Sequence, residues 1–290
     1  MSRPNFERLV PPPRRVPFGV QVQTLFGATL ARVGWWLLVV LSPVAWVFAS
    51  QADLSGPLLF RGHPPAVEGR VTRLEETRSS EGGRRIVRVE YTFRAPGGPP
   101  LSGSSYSVGV THAVGDVVQV EYLEGRPSIS RISGARRAPF SAAVLLVLVS
   151  PAIGLGLAGL SLRSGRRTLR LLGEGQLGSA SFLSQRPTDT KVNGQLVQEL
   201  IFEYVGPDGL RRTLRETTID PHPLRDERRE TILFHPQEPE RATLVDALPR
   251  AAAVDERGEI VQGAGSILVL LPALLAMLVN GAFAAYRLAR

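Results

Sequence analysis

Few side chains in this 290-residue sequence can do chemistry: it has four histidines and no cysteine. His222 lies in Asp-Pro-His-Pro, held in a loop between Pro221 and Pro223, and His235 precedes Pro236 at the end of an apolar run. If a sheet brought these two together, Asp220 would complete a set able to bind a metal ion or orient a serine. No pair of histidines at helical spacing and no His-Glu-x-x-His run supports that set, so two ordinary loop histidines are the simpler expectation. His112 and Asp116, with the serines of residues 101–107, have the residue types of a nucleophilic triad without a spacing that fixes its geometry. Asp116 follows Gly115 and is expected to shape a turn, its carboxylate accepting from nearby backbone N–H groups.

The absence of cysteine excludes disulfides, thiolate nucleophiles, zinc–thiolate knots and iron–sulfur clusters. Gly-Leu-Gly-Leu-Ala-Gly at 154–159 has the glycines of a dinucleotide loop but lies inside an apolar run, and the glycine-rich stretches at 78–85 and 173–178 lack the Lys-Ser/Thr ending of a phosphate loop. No catalytic, cofactor or metal residue is therefore assigned. The expectation is a protein without cofactors and without enzymatic activity.

Three apolar runs surround these polar stretches. A hydrocarbon core about 30 Å thick needs roughly 20 apolar helical residues. Val33–Ala49 meets that length with Trp35, Trp36 and Trp46 towards its ends, where indole rings favour the interface. Phe140–Leu162 ends in Arg163, Arg166, Arg167 and Arg170. Its small residues, Gly154 with Ala158 or Ala152 with Gly156, would let another helix approach closely. Gly265–Tyr286 contains Pro272 and Asn280; this amide is expected to be hydrated near the interface, with helix pairing and a conducting path as other uses. The first run is read as a retained anchor, starting near either Leu25 or Val33, and Val20–Leu30 as a surface-lying amphipathic piece.

The net charge of +8 suggests nucleic acid until it is divided by segment: +4 over residues 1–50, +3 over 51–139 and −1 over 163–262. The excess lies mainly beside the apolar runs, where cations meet lipid head groups, so nucleic acid is not an expected partner. Placing the N-terminus in the cytoplasm puts Arg14, Arg15, Arg32 and the arginines of 163–170 inside. Arg61, Arg136, Arg137, Arg287 and Arg290 are then outside.

The two polar segments align with each other at an offset of about 111 residues. Tyr91–Gly98 matches Phe202–Gly209, and after one residue of slippage Tyr122, Pro127 and Ile132 match Phe234, Pro239 and Leu244. Period-two patterning, as in Val87, Val89, Tyr91 and Phe93 or Val118, Val120 and Tyr122, predicts strands. Residues 96–100 and 206–209 predict hairpin turns. A small curled sheet or barrel of five or six strands closes each segment economically, and duplication of one module explains the match.

Both modules resemble the β domain of an uncharacterised bacterial membrane family, domain of unknown function 3592. The resemblance rests on Gly69, Tyr91, Phe93, Gly115, Asp116, Val118, Val120, Tyr122 and Pro127 in the first copy. In the second it rests on Phe202, Tyr204, Gly209, Leu233, Phe234, Pro236 and Pro239, with Asp226 and Glu227 in place of the Gly-Asp pair. It implies a fold and a bacterial inner-membrane location but no mechanism.

The expected fold is thus an α+β membrane protein with three transmembrane helices and two small, mostly antiparallel, barrel-like β modules. Its parts are a tail and interfacial segment (1–32), spans at 33–50, 139–162 and 263–286, β modules at 51–138 and 163–262, and a C-terminal tail (287–290). The expected partners are the lipid bilayer and other membrane proteins or a second copy. The expected function is that of a scaffold, accessory subunit or sensor. A hydrolase or ligand-binding sensor built on module two, and a transporter component using Asn280, are the alternatives.

Overall fold

The computed structural model describes residues 6–62, 64–192, 194–225 and 228–289; Asp226 and Glu227 lie outside the described residues. The helices are α1 (Phe18–Phe26), α2 (Thr29–Ala49), α3 (Ser55–Leu59), α4 (Val149–Glu174) and α5 (Leu271–Leu288). The strands are β1 (Ala52–Asp53), β2 (Ala66–Glu81), β3 (Arg84–Arg94), β4 (Pro100–Val108), β5 (Val117–Leu123), β6 (Arg126–Ile132), β7 (Phe140–Ser141), β8 (Gln176–Val192), β9 (Gln195–Val205), β10 (Arg211–Thr218), β11 (Glu230–Phe234), β12 (Ala242–Leu244), β13 (Ala252–Val254) and β14 (Ile260–Gln262). The fold is α+β, and Thr29–Ala49, Ala142–Glu174 and Ile267–Leu288 are helices long and apolar enough to cross a membrane.

Two helix ends differ from expectation. The first span starts at Thr29, between the two expected starts, because the longer stretch from Leu25 is broken at Gly27, whose N–H donates to Gln23 O at 2.8 Å. The second helix continues well past Leu162, because the Arg and Leu residues that follow are good helix formers in water. It stops at Gly175, whose N–H donates to Leu171 O at 2.8 Å.

Contacts divide the chain into two compact units, Met1–Val39 with Gly154–Leu278, and Val40–Ile153 with Val279–Arg290. The first unit contains the sheet β10-β9-β8-β11-β12 and the hairpin β13-β14. The N-terminal stretch is part of its core: Phe6, Leu9 and Val20 pack with Leu172, Leu233, Val245, Leu248, Ala252 and Ile260. The expected surface-lying piece is therefore a helix, α1, that buries Val20, Val22 and Thr24. Arg14 fixes this stretch to the end of α4, its guanidinium donating to Leu172 O at 3.1 Å and Gly175 O at 2.8 Å. A cation there meets the negative end of the helix dipole. The second unit contains the sheet β4-β3-β2-β5-β6 and the short parallel pair β1-β7.

The two five-stranded sheets have the same strand order, and their registers correspond residue by residue. Tyr91 faces Gly103 across β3-β4 and Phe202 faces Leu214 across β9-β10. Val120 faces Ile132 across β5-β6, and Ile232 faces Leu244 across β11-β12. Even the irregularities coincide: the β2-β3 register shifts at Val71/Arg73 and Glu76/Ser80, the β8-β9 register at Phe182/Ser184 and Pro187/Lys191. Such bulges bend and twist a long hairpin, which lets five strands curl around a core. In the first sheet the curl brings the edges together: Ile132 N–H donates to Ser105 Oγ at 2.9 Å, and Tyr106 bridges Arg136.

Candidate functional site

The residues singled out from the sequence line the interiors and turns of the two sheets. In the first, Tyr91 and Phe93 are buried, with ring centroids 6.0 Å apart, and Tyr122 lies 6.3 Å from Phe93. The Tyr91 hydroxyl and Ser130 Oγ are hydrogen-bonded at 3.0 Å. Burial pushes the Tyr91 phenol above its ordinary value, against the effect of its hydrogen bonds with Ser130 and Ser105. Gly69 opposes both Phe93 and Val118; a Cβ there would stand 2.7 Å from Val120 Cγ2 and 2.9 Å from Thr92 O, so a side chain has no room.

Gly115 and Asp116 make the turn before β5. Gly115 has φ +97°, the left-handed region that a side chain disfavours. Its N–H donates to Val71 O at 2.9 Å, while Asp116 Oδ2 accepts from Ala113 N at 2.7 Å. Asp116 is thus engaged as a turn former. Pro127 is half-buried near the start of β6.

In the second sheet Phe202 and Tyr204 are buried, and the Tyr204 hydroxyl donates to Pro239 O. Phe202 meets Phe182 edge-on at 5.7 Å. Phe234 is buried against Gly178, where a Cβ would stand 2.9 Å from its ring. Gly209, at φ +76°, closes the β9-β10 turn, its N–H donating to Gly206 O at 3.0 Å. Next to it Arg212 and Asp208 pair at 2.7 Å, and this hydrogen bond holds the Asp208 carboxyl well below the usual carboxylate range. Pro236 and Pro239 are half-buried in the connection from β11 to β12.

The histidine set of the second module is engaged elsewhere. Asp220 Oδ1 accepts from His222 N at 3.2 Å, a local turn, whereas His235 Nε2 lies 3.2 Å from Glu174 Oε2 at the end of α4. Among the described residues no three His, Asp or Glu side chains are grouped to hold a metal ion.

The apolar helices carry two polar or small-residue contacts. A Cβ on Gly34 of α2 would stand 2.7 Å from both Ala158 N and Gly154 O of α4, so it is the Gly154 and Ala158 face that packs, while Gly156 faces open space. Further along, Gly165 lies against Thr24 O. Asn280 of α5 does not wait for water: its Oδ1 accepts from Trp46 Nε1 at 2.7 Å, and the indole stacks on Phe283 at 5.6 Å.

Two polar positions escape sequence reasoning. Glu216 projects inward from β10, its Oε1 accepting from Thr243 Oγ1 at 2.9 Å, and burial raises its carboxyl above the ordinary value. Asp53, just after α2, accepts from Ser55 N and Arg137 N at 2.8 Å each. Burial alone would raise its carboxyl, but these bonds, that of Ser55 Oγ and the Arg131 charge outweigh it and hold the pKa low. The inward phase of Leu214 in an alternating strand was the signal for Glu216; none existed for Asp53. Comparison with protein-family models, with characterised proteins and with solved structures finds no match to this chain.

Proposed function

We propose that the chain is a three-span protein of the bacterial inner membrane whose two β modules, copies of one ancestral unit, hold other proteins in place or sense them without catalysis. The observation that carries the topology is the shared core of the first unit. Phe6, Leu9 and Val20 pack with Leu233 and Val245, so the N-terminal stretch and residues 163–262 belong to one side of any bilayer. Passage through α2 and return through α4 satisfy that condition. Residues 52–138 then belong with the C-terminus on the other side.

Charge supports the N-terminus facing the cytoplasm. Arg136, one of the cations counted against this orientation, is paired with Glu81 at 2.5 Å, whereas the arginines of 163–170 stay exposed. The matching registers and bulges support duplication, and the pattern of buried aromatics and turn residues supports kinship with domain of unknown function 3592. A non-catalytic role is favoured because Asp116, Asp220, His235 and Tyr91 are each bound to a structural partner.

Reporter fusions after Gly98 and Gly209, both in hairpin turns, test the topology: opposite compartments are expected, and a shared compartment overturns it. Substituting His222 and His235 together tests the role. Function is expected to persist, and its loss with folding and insertion intact would establish the hydrolase or ligand-sensor reading instead.

A further inference from the structure

The last turns of α4 carry Arg163, Arg166, Arg167 and Arg170, all exposed. At about 100° per residue these four positions fall within roughly 100° of arc. Of the buried residues of the same helix, Gly154, Ala158, Ser161, Gly165 and Leu172 centre on the opposite side, and Leu171 flanks the arginine arc. Four like charges on one face repel one another. Among the described residues no carboxylate lies within 4.0 Å of any of the four to relieve this. An external anion is what such a face fits.

Contacts of α4 place the stripe at the edge of the apolar span. Gly165 lies against Thr24, and next to it Gln23 packs on Gly265 and donates to Ser266 O, just before the third apolar helix starts at Ile267. These polar residues mark the level at which the chain leaves hydrocarbon. Towards the apolar side, the arginine face continues into Gly156 and Gly159, where a Cβ would meet nothing within 4 Å. A shallow apolar strip therefore runs directly into a cationic one.

We propose that this face binds an anionic phospholipid, the four guanidinium groups holding its phosphate and an acyl chain lying along Gly156 and Gly159. Guanidinium forks match phosphate oxygens two bonds at a time, and their stems cover apolar surface at the boundary. The proposal rests on the reading of α4 as a membrane span.

The full chain, in vesicles of phosphatidylcholine with and without phosphatidylglycerol, provides the test. Resistance to alkaline carbonate extraction reports the span, and native mass spectrometry after mild detergent release reports retained lipid. Selective, salt-sensitive retention of phosphatidylglycerol is expected, weakening about fivefold for each arginine removed. The pair Arg166→Gln and Arg167→Gln gives a mild variant should the fourfold one fail to insert, and Gly156→Leu with Gly159→Leu weakens retention without changing charge. Release by carbonate overturns span and lipid site together. Resistance to carbonate with no preference for phosphatidylglycerol, or with equal displacement by free glycerol phosphate, overturns the lipid site alone.

Discussion

Tyr91, Gly103 and Ser130 in the first sheet occupy the register positions of Phe202, Leu214 and Ala242 in the second. One sheet fills its interior with a large phenol, a space beside it and a hydroxyl to bond it; the other uses a phenyl ring, a leucine and a methyl group. A Cβ on Gly103 would stand 2.6 Å from the Tyr91 ring and 2.8 Å from Ser130 Oγ, so the glycine exists to admit the tyrosine. The exchange gives up two hydroxyls and fills the space beside the ring with a leucine, so the second interior is more apolar and more filled at these positions, a repacking in which each change depends on the others. The outer faces diverge more. Glu121, paired with Arg131 at 2.7 Å and with Ser133 at 2.8 Å, stands where the second sheet has fully buried Leu233. The polar face is closed by the Glu121–Arg131 pair with Phe60 stacked on the guanidinium, and the apolar one accepts the N-terminal stretch.

The sharpest way to break this comparison is Leu233→Glu, which gives the second sheet the residue of the first. Losing a buried leucine and burying a carboxylate among Phe6, Val20 and Ile260 should cost about 4 kcal/mol or more. The N-terminal stretch should become accessible to protease, and the unfolding midpoint of the full chain should fall. Glu121→Leu in the first sheet removes the carboxylate that pairs with the mostly buried Arg131, which keeps its stacking over Phe60, and should cost about 2 kcal/mol, a smaller loss than at Leu233. Equal losses at the two positions would mean that the faces do not differ in role.

A smaller effect is expected inside the barrel. Gly103→Leu should cost about 3 kcal/mol by overpacking against Tyr91. Adding Tyr91→Phe and Ser130→Ala rebuilds the second sheet's set and should recover most of the loss, which urea unfolding of the single and triple variants measures. Simple additivity would show that the three positions are not coupled and that the correspondence of interiors is accidental.

Much of this correspondence was legible beforehand, for reasons specific to the residues. Tyr91 and Phe93 alternate with polar neighbours, so period and face are read together, and Pro127 and Pro239 marked the single residue of slippage between the two segments. The three long helices were legible because twenty uncharged apolar residues have few other uses. Docking of the N-terminal stretch was not, since Val20 and Val22 in a nine-residue helix have too little period to distinguish a lipid surface from a protein core. Which small residues of α4 pack was equally hidden: Gly154 and Gly156 look alike until Gly34 is seen beside one of them. The polar groups Glu216 and Asp53 were missed because their partners, Thr243 and Arg137, are set by register and not by neighbourhood in the chain.

The least disruptive test concerns Glu216, which stands where the first sheet has Ser105. Burial raises the Glu216 carboxyl above its ordinary value. Between that ordinary value and the raised one, the folded chain keeps a proton that the unfolded chain has already released. Stability therefore falls as pH rises through this window and stays lower above it. Glu216→Gln keeps an acceptor for Thr243 Oγ1 and cannot ionise. Thermal unfolding across acidic and neutral pH should show variant and parent alike where both side chains are uncharged, and the variant more stable at neutral pH. Ser105 has no proton to lose in this range, so Ser105→Ala should shift the midpoint by the same amount at every pH, through loss of its bond from Ile132 N. A Glu216→Gln variant that gains nothing at neutral pH would show that the carboxylate is already accommodated when charged, and would remove the polarity contrast between the two barrel seams.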